Sequence, residues 1–266
     1  MENNNFILTV LIFAYNHEKF IEDCLLSVLN QKTQYKYKVR IFDDFSTDNT
    51  VKIIKKIIKN KSNIQLINSK TNFGNGILCM KNNFGFKMDT KYFMFLDGDD
   101  YFTSNNKIDK QITCLEKNPQ YVGCGHFTKV VDENKREIDT TKLNTNILNI
   151  RKWLFGEPYY LHTASWVWRN LFGSVYHKKI IKYKAWGDTL FLFNQLNYGS
   201  AYVIKDFMSA YRIHKNGIWS KLTTEEKNLA NKKIERKKYL LLRFKYYHLV
   251  LLTILIKIKA LIKTYN

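Results

Sequence analysis

Tyr92-Phe93-Met94-Phe95-Leu96-Asp97-Gly98-Asp99-Asp100 runs five large, mostly apolar residues straight into a group of carboxylates interrupted by one glycine. An apolar run of this length that ends in a turn signal predicts a strand buried on both faces. Its carboxylates then emerge together at one sheet edge, where a divalent ion and the phosphates of a ligand would neutralise them.

Working outward, residues 6–13 form a first apolar run. The polar turn Tyr15-Asn16-His17-Glu18 follows, and then Phe20, Ile21, Leu25, Val28 and Leu29 recur at helical spacing. A second strand over about 37–42 ends at Asp43-Asp44, and Ser46-Thr47-Asp48-Asn49 is placed to cap the helix carrying Val51, Ile54, Ile57 and Ile58. Residues 64–67 read as a third strand, and Asn72-Phe73-Gly74-Asn75-Gly76 as a tight turn into another helix. Strands alternating with helices predict an α/β fold with a mostly parallel central sheet flanked by helices. Parallel strands share one C-terminal edge, so the loops after strands one, two and four are expected to converge there. Further on, 121–131 is strand-like, 143–154 helical, 189–196 helical after Trp186-Gly187-Asp188, and 201–204 a return to the sheet.

Composition narrows the function classes. The 266 residues hold 45% apolar residues, enough for one substantial core, and 43 Lys and Arg against 23 acidic residues leave a formal charge of +20. Such a field suits nucleic acid, anionic lipid or a phosphorylated substrate. No zinc-finger spacing or ribonucleoprotein aromatic motif accompanies it, so nucleic acid is not expected as a partner. Cys24, Cys79, Cys114 and Cys124 show neither pairing nor metal-ligand spacing and are expected to be reduced. No secretory leader is legible, and a cytoplasmic location is expected. Residues 223–264 alternate Lys clusters with Leu, Ile, Tyr and Phe, and their longest apolar run, 248–256, is too short to span a bilayer.

Several residue groups are candidates for chemistry. Asp97 and Asp99 are hard oxygen donors suited to Mn2+ or Mg2+, although a turn with a helix cap accounts for Asp97-Gly98-Asp99-Asp100 as well. Asp43 and Asp44 offer acceptors to a base or sugar, or else cap local backbone. Tyr15 offers a ring face. Asp188, after Gly187 at the start of an apolar helical run, is the candidate general base, with an N-cap role as the competing explanation. Tyr211-Arg212-Ile213-His214-Lys215 joins a phosphate-capable Arg212 to an imidazole, His214, able to complete a metal environment. His162 and Trp186 are candidates for contact with acceptor or sugar. No Gly-Lys-Ser or Gly-Lys-Thr phosphate loop is present, which weighs against an ATPase or GTPase.

Taken in order, Tyr15-Asn16, Asp43-Asp44-Phe45-Ser46-Thr47-Asp48, Asn72-Phe73-Gly74, Asp97-Gly98-Asp99-Asp100, Gly187-Asp188 and Tyr211-Arg212-Ile213-His214 resemble the family 2 inverting glycosyltransferases over about residues 6–220. The resemblance implies a GT-A fold, a nucleotide-sugar donor and a divalent cation, Mn2+ or Mg2+. By the same resemblance, the Phe13 backbone, Tyr15, Asp44 and Asn72 surround the nucleotide and Asp97 faces its sugar-ribose side. Asp99 binds the metal with His214, and Asp188 is the base. Lys81-Asn82 stands where many members have Arg-Asn, and Lys81 lacks the bidentate fork. Gly187-Asp188 replaces the commoner Glu-Asp pair, so a carboxylate contact to the acceptor is lost.

The expectation that follows is a metal-dependent transfer of a sugar, with UDP the favoured carrier, to a hydroxyl of a saccharide or lipid-linked saccharide acceptor in surface-glycan synthesis. The expected division is a glycosyltransferase body at 1–222, with a nucleotide-binding half at about 1–118 and an acceptor-binding half at about 119–222. A basic amphipathic helical tail at 223–266 completes the chain. The tail is expected either to lie on the anionic inner face of the cytoplasmic membrane or to pack on the body or pair two subunits. A metal-dependent nucleotidyltransferase and a noncatalytic membrane-associated scaffold are the alternatives.

Overall fold

Period-two alternation along the first apolar run decides the layering. In the computed structural model, which describes residues 6–84, 88–154, 161–171 and 188–241, strand β1 (Leu8–Ala14) is buried along its whole length. Leu11 and Phe13 face one apolar cluster, while Leu8, Val10, Ile12 and Ala14 face the other. Strand β4 (Tyr92–Asp97) divides in the same way, with Phe93 and Phe95 on the first face and Tyr92, Met94 and Leu96 on the second. Helices cover both faces. The second is covered by α1 (Ile21–Leu29), α2 (Thr50–Ile58) and α4 (Lys107–Lys117), the first by α3 (Gly76–Phe84) and the helix Asp188–Leu196. This is an α/β sandwich of three layers.

With β2 (Tyr37–Asp43) and β3 (Ile64–Asn68), the first half of the sheet runs in the order β3-β2-β1-β4, every pairing parallel. Phe13 lies opposite both Phe42 and Asp97, and Ala14 opposite Asp43. The acidic ends of β2 and β4 therefore flank the end of β1.

The second half is mixed. After β5 (Tyr101–Phe102) come β6 (Tyr121–Val131), β7 (Glu137–Thr141), β8 (Ile147–Leu148), β9 (Val167–Arg169) and β10 (Ser200–Arg212). The short β9 bridges β4 and β6 with antiparallel pairing, and β10 runs parallel to β6 and antiparallel to β5 and β8. Strand β10 thereby carries Tyr211, Arg212 and His214 toward the same edge as Asp99.

One segment differs from expectation. Residues 143–154 do not form one helix, because Asn146 donates from Nδ2 to the Val203 carbonyl at 2.9 Å and accepts from the Val203 N–H at 2.8 Å through its own carbonyl. That docks β8 on β10, and only Ile150–Leu154 is helical, opened by Asn149 Oδ1 accepting the Lys152 N–H at 3.0 Å. Asparagines that bond backbone in extended conformations compete with a helix here.

Of the expected tail at 223–266, residues 242–266 lie outside the described residues; the helix Thr224–Leu241 holds Glu225 and Glu226 in its first turn, and its Ile234 packs against the apolar cluster around Phe191 and Phe193. No described helix is long and apolar enough to cross a membrane. Cys24, Cys79 and Cys124 are buried, Cys114 is half-buried, and all four thiols are free.

Candidate active site

Three interlocked loops build the site from the ends of β1, β2 and β4. In the turn after β1, Asn16 takes a left-handed conformation at φ 53°, its N–H donates to Ser46 Oγ at 2.9 Å, and its Oδ1 accepts the Thr47 N–H at 2.8 Å. The Glu18 N–H donates to Asp48 Oδ2 at 3.0 Å, while Glu18 Oε2 accepts the Asn49 N–H at 3.0 Å. Asp48 Oδ1 also accepts the Thr50 N–H at 2.9 Å, so the helix-capping oxygen comes from Asp48. Each loop satisfies the other's backbone, and Tyr15, 43% exposed, projects from the joint.

Asp44 is nearly buried. Its carboxylate accepts the N–H groups of Phe73 and Gly74 at 2.9 Å each, and Asn72 Oδ1 takes a second bond from the Gly74 N–H at 2.7 Å. Gly74 at φ 66° supplies the left-handed turn this requires. Two of the Asp44 acceptor sites thus hold the loop of Asn72, which is itself exposed. Lys81 lies half-buried in α3, about 7.5 Å along the axis from the helix start at Gly76.

The turn after β4 packs against the end of β1. The Gly98 N–H donates to the Phe13 carbonyl at 2.7 Å, and a Cβ at position 98 would stand 2.8 Å from His17 Nδ1 and 3.1 Å from that carbonyl. Only glycine fits without displacing a neighbour. The carbonyl of Phe13, expected at the nucleotide, is engaged in holding this turn.

Beyond Gly98 the two carboxylates separate. Asp99 Oδ2 lies 2.9 Å from His214 Nε2 and 3.7 Å from His17 Nε2. Burial alone would raise the Asp99 pKa, but His17 and the hydrogen bond with His214 outweigh it and hold the carboxyl below its ordinary value. Burial, opposed by Asp99 and reinforced by His214, lowers the His17 pKa. Asp100, 1% exposed, turns inward, where burial followed by repulsion from Asp99 and Asp97 raises its pKa well above normal. Asp100 Oδ1 accepts the Arg212 N–H at 2.9 Å.

Arg212 corrects an expectation. Its side chain is 2% exposed, with Nε donating to the Asp99 carbonyl at 3.0 Å and Nη2 to Asp23 Oδ2 at 3.0 Å. Its guanidinium also stacks over Phe20 at 4.7 Å and Tyr101 at 5.1 Å. A fork so occupied fixes the acidic turn to β10 and has no face left for phosphate.

His162 is 6% exposed and stacked on Tyr211 at 4.0 Å, with burial lowering its pKa to about 4. Trp186 lies outside the described residues. Asp188 opens the helix Asp188–Leu196, whose Phe191 packs edge-on against Phe95 at 5.0 Å and Phe93 at 5.7 Å. Each such aromatic pair contributes about 0.5–1.5 kcal/mol beyond its buried area and ties this helix to the strand ending in Asp97. The Asp188 side chain is not among those described.

Phe13, Tyr15, Asp44, Asn72, Asp97, Asp99 and His214 therefore gather at one edge, with an open groove of ≈ 490 Å³ running past His214 between Glu133 and Lys215. Among the described residues no group of three or more His, Cys, Asp or Glu side chains is already arranged to hold a metal ion. The donor pair itself fits one, since two ligands with bonds of about 2.0–2.1 Å at a right angle stand about 3.0 Å apart. Residue reasoning missed His17, Asp23 and Tyr101. His17 was legible only as part of a polar turn, and the other two act through contacts distant in sequence.

Residues 9–175 match the family model described as Glycosyl transferase family 2. The chain belongs to glycosyl transferase family 2. Membership sets aside the nucleotidyltransferase and scaffold alternatives and makes the protein a glycosyltransferase. The match ends before Asp188 and His214. An uncharacterized glycosyltransferase of Haemophilus influenzae is 28% identical over 255 residues, covering 86% of this chain and 72% of that one. A teichoic acid poly(glycerol phosphate) polymerase of Staphylococcus epidermidis is 37% identical over 98 residues, 36% of this chain and 13% of the polymerase. Among solved structures, S. aureus TarS 1-349 in complex with UDP aligns at TM-score 0.61 and 18% identity, over 86% of this chain and 64% of that chain. A mannosyltransferase, PcManGT, from Pyrobaculum calidifontis, in complex with GDP-Man and Mn2+, aligns at TM-score 0.55 and 14% identity, over 79% of this chain and 58% of that chain. Both share the fold of this family 2 chain.

Proposed function

We propose that this glycosyltransferase moves a sugar from a nucleoside-diphosphate sugar, with UDP the favoured carrier, to a hydroxyl of a saccharide or lipid-linked saccharide acceptor in bacterial surface-glycan assembly, with inversion. The observation that carries this reading is Asp99 set against His214 at the edge where the turns after β1, β2 and β4 meet. The UDP and UDP-GlcNAc complexes of the TarS neighbour support the donor class. The polymerase relative supports the surface-glycan setting.

In this reading Tyr15, Asp97 and the loop of Asn72, held by Asp44, bind the nucleotide-sugar, with Lys81 adding positive charge. Asp99 and His214 would hold Mn2+ or Mg2+, whose positive charge would offset the charge developing on the diphosphate. Asp188 takes the proton of the acceptor hydroxyl as its oxygen bonds to the anomeric carbon. The bond from that carbon to the diphosphate breaks on the opposite face, and the nucleoside diphosphate leaves with the electron pair. Body and tail divide near residue 222, and the tail with its preceding turn meets an anionic membrane surface.

Screening nucleotide sugars with Mn2+ or Mg2+ and scoring released nucleotide tests the reading. UDP release that falls about a hundredfold in D99N and in D188N is the expected result. Normal turnover by D188N would remove the base, and undiminished activity after exhaustive chelation would remove the metal.

A further inference from the structure

Phe45 is strained where it stands. Its φ of 69° lies in the left-handed region, where a bulky side chain is disfavoured and glycine or asparagine would fit more easily. Packing does not offset the strain, since the ring is 49% exposed, joins neither apolar cluster and stacks on no other ring among the described residues. A strained turn that displays a phenyl ring at the mouth of a site points to a use for that ring.

The turn is fastened so that Phe45 and Tyr15 are neighbours. The Asp44 N–H donates to the Ala14 carbonyl at 2.8 Å and the Asn16 N–H to Ser46 Oγ at 2.9 Å, and these two cross-links enclose Tyr15 on one chain segment and Phe45 on the other. Asp43 Oδ2 accepts the Ser46 N–H at 3.0 Å and closes the turn around Phe45. Tyr15, 43% exposed, belongs to neither apolar cluster either. In the sheet order β2-β1-β4, the two rings stand one to two strand spacings, about 5–10 Å, from the carboxylates after β4. An extended nucleoside diphosphate spans that width with its flat base at the ring end and its phosphates at the acidic end.

We propose that Phe45 is a nucleobase-binding residue, its ring joining Tyr15 in a two-ring stacking platform at the ends of β1 and β2. The inference rests on the nucleotide-sugar reading above and adds a contact to it. Stacking on an aromatic face accepts any base. The pair therefore supplies affinity, and the choice of carrier falls to hydrogen bonds at the edge of the base.

The test is calorimetric titration of the full chain with UDP and, separately, with inorganic pyrophosphate, both in the presence of Mn2+. F45G, whose glycine suits the left-handed turn, should bind UDP about tenfold more weakly than the wild type, and F45Y, which restores a ring, should return to within about twofold. Pyrophosphate, which has no base, should bind the wild type and F45G alike. Equal UDP affinity in the wild type and F45G would overturn the role of Phe45 and leave the donor reading standing. Equal loss of UDP and pyrophosphate would assign Phe45 to the shape of the loop and overturn its contact with the base. No binding of UDP to the wild type would overturn both readings. Should F45G fail to fold, F45L, which keeps the strained turn and loses the ring, takes its place with the same expected loss.

Discussion

Arg212 and Asp99 lie against each other and do different work. Arg212 spends its fork on the Asp99 carbonyl and Asp23, so its removal acts on folding before it acts on the donor. R212A should lower the stability to chemical denaturation by about 1–3 kcal/mol, because it removes the donor to the Asp99 carbonyl and opens the space between Phe20 and Tyr101, while Asp23 keeps Lys135 at 2.7 Å. R212K, which keeps the charge and loses the fork, should fall between R212A and the wild type. A raised KM for the donor at unchanged stability would instead put Arg212 on the phosphate. Sequence alone named Arg212 for charge and neighbourhood, and could not show a partner such as Asp23, far upstream in α1. Family resemblance named Asp99 and His214 for one metal, and the structure sets their side chains 2.9 Å apart, whereas His17 carried no separate signal inside its turn.

At the scale of elements, the acidic strand ends are as much fasteners as ligands. Asp44 joins the end of β2 to the loop after β3 through two N–H groups. D44A should cost about 2 kcal/mol in denaturant unfolding, the penalty of stranding part-buried amides, and raise the donor KM as the loop of Asn72 loosens. A donor KM that rises with no change in stability would make Asp44 a direct ligand only. The strands β1 to β4 were legible because continuous apolar runs ending in turn residues leave few other solutions. The 143–154 segment was not, since its asparagines bond to β10 across the sheet. Nor was β5, two residues long and dependent on Ser209 and Ala210 far downstream.

Across the whole molecule, buried histidines set the acid limit. His162 has its pKa lowered to about 4, below the ordinary 6.5, so the unfolded chain takes up a proton first as pH falls. The stability from keeping this ring neutral is complete above about pH 6.5 and lost on descent toward pH 4, about 3 kcal/mol in all. His17 and His126, also lowered by burial, add in the same direction, while the raised Asp100 opposes them. Unfolding midpoints should therefore fall between pH 6.5 and 4, and H162F, which keeps the stack on Tyr211, should flatten that fall. An identical pH profile in H162F would contradict the assignment. Exposed Ile218, Trp219 and Leu229 beside Lys227, Lys232 and Lys233 bear on the membrane proposal. The triple variant K227E, K232E and K233E should lose flotation with anionic vesicles at low salt, and equal flotation would remove that role. The most direct test of the whole is a crystal of the full chain with UDP and Mn2+, read by anomalous scattering. A manganese peak between Asp99 and His214, touching the diphosphate, with Asp188 facing the open side, is the predicted result. Manganese and UDP bound away from Asp99, or Asp188 turned out of the cleft, would contradict it.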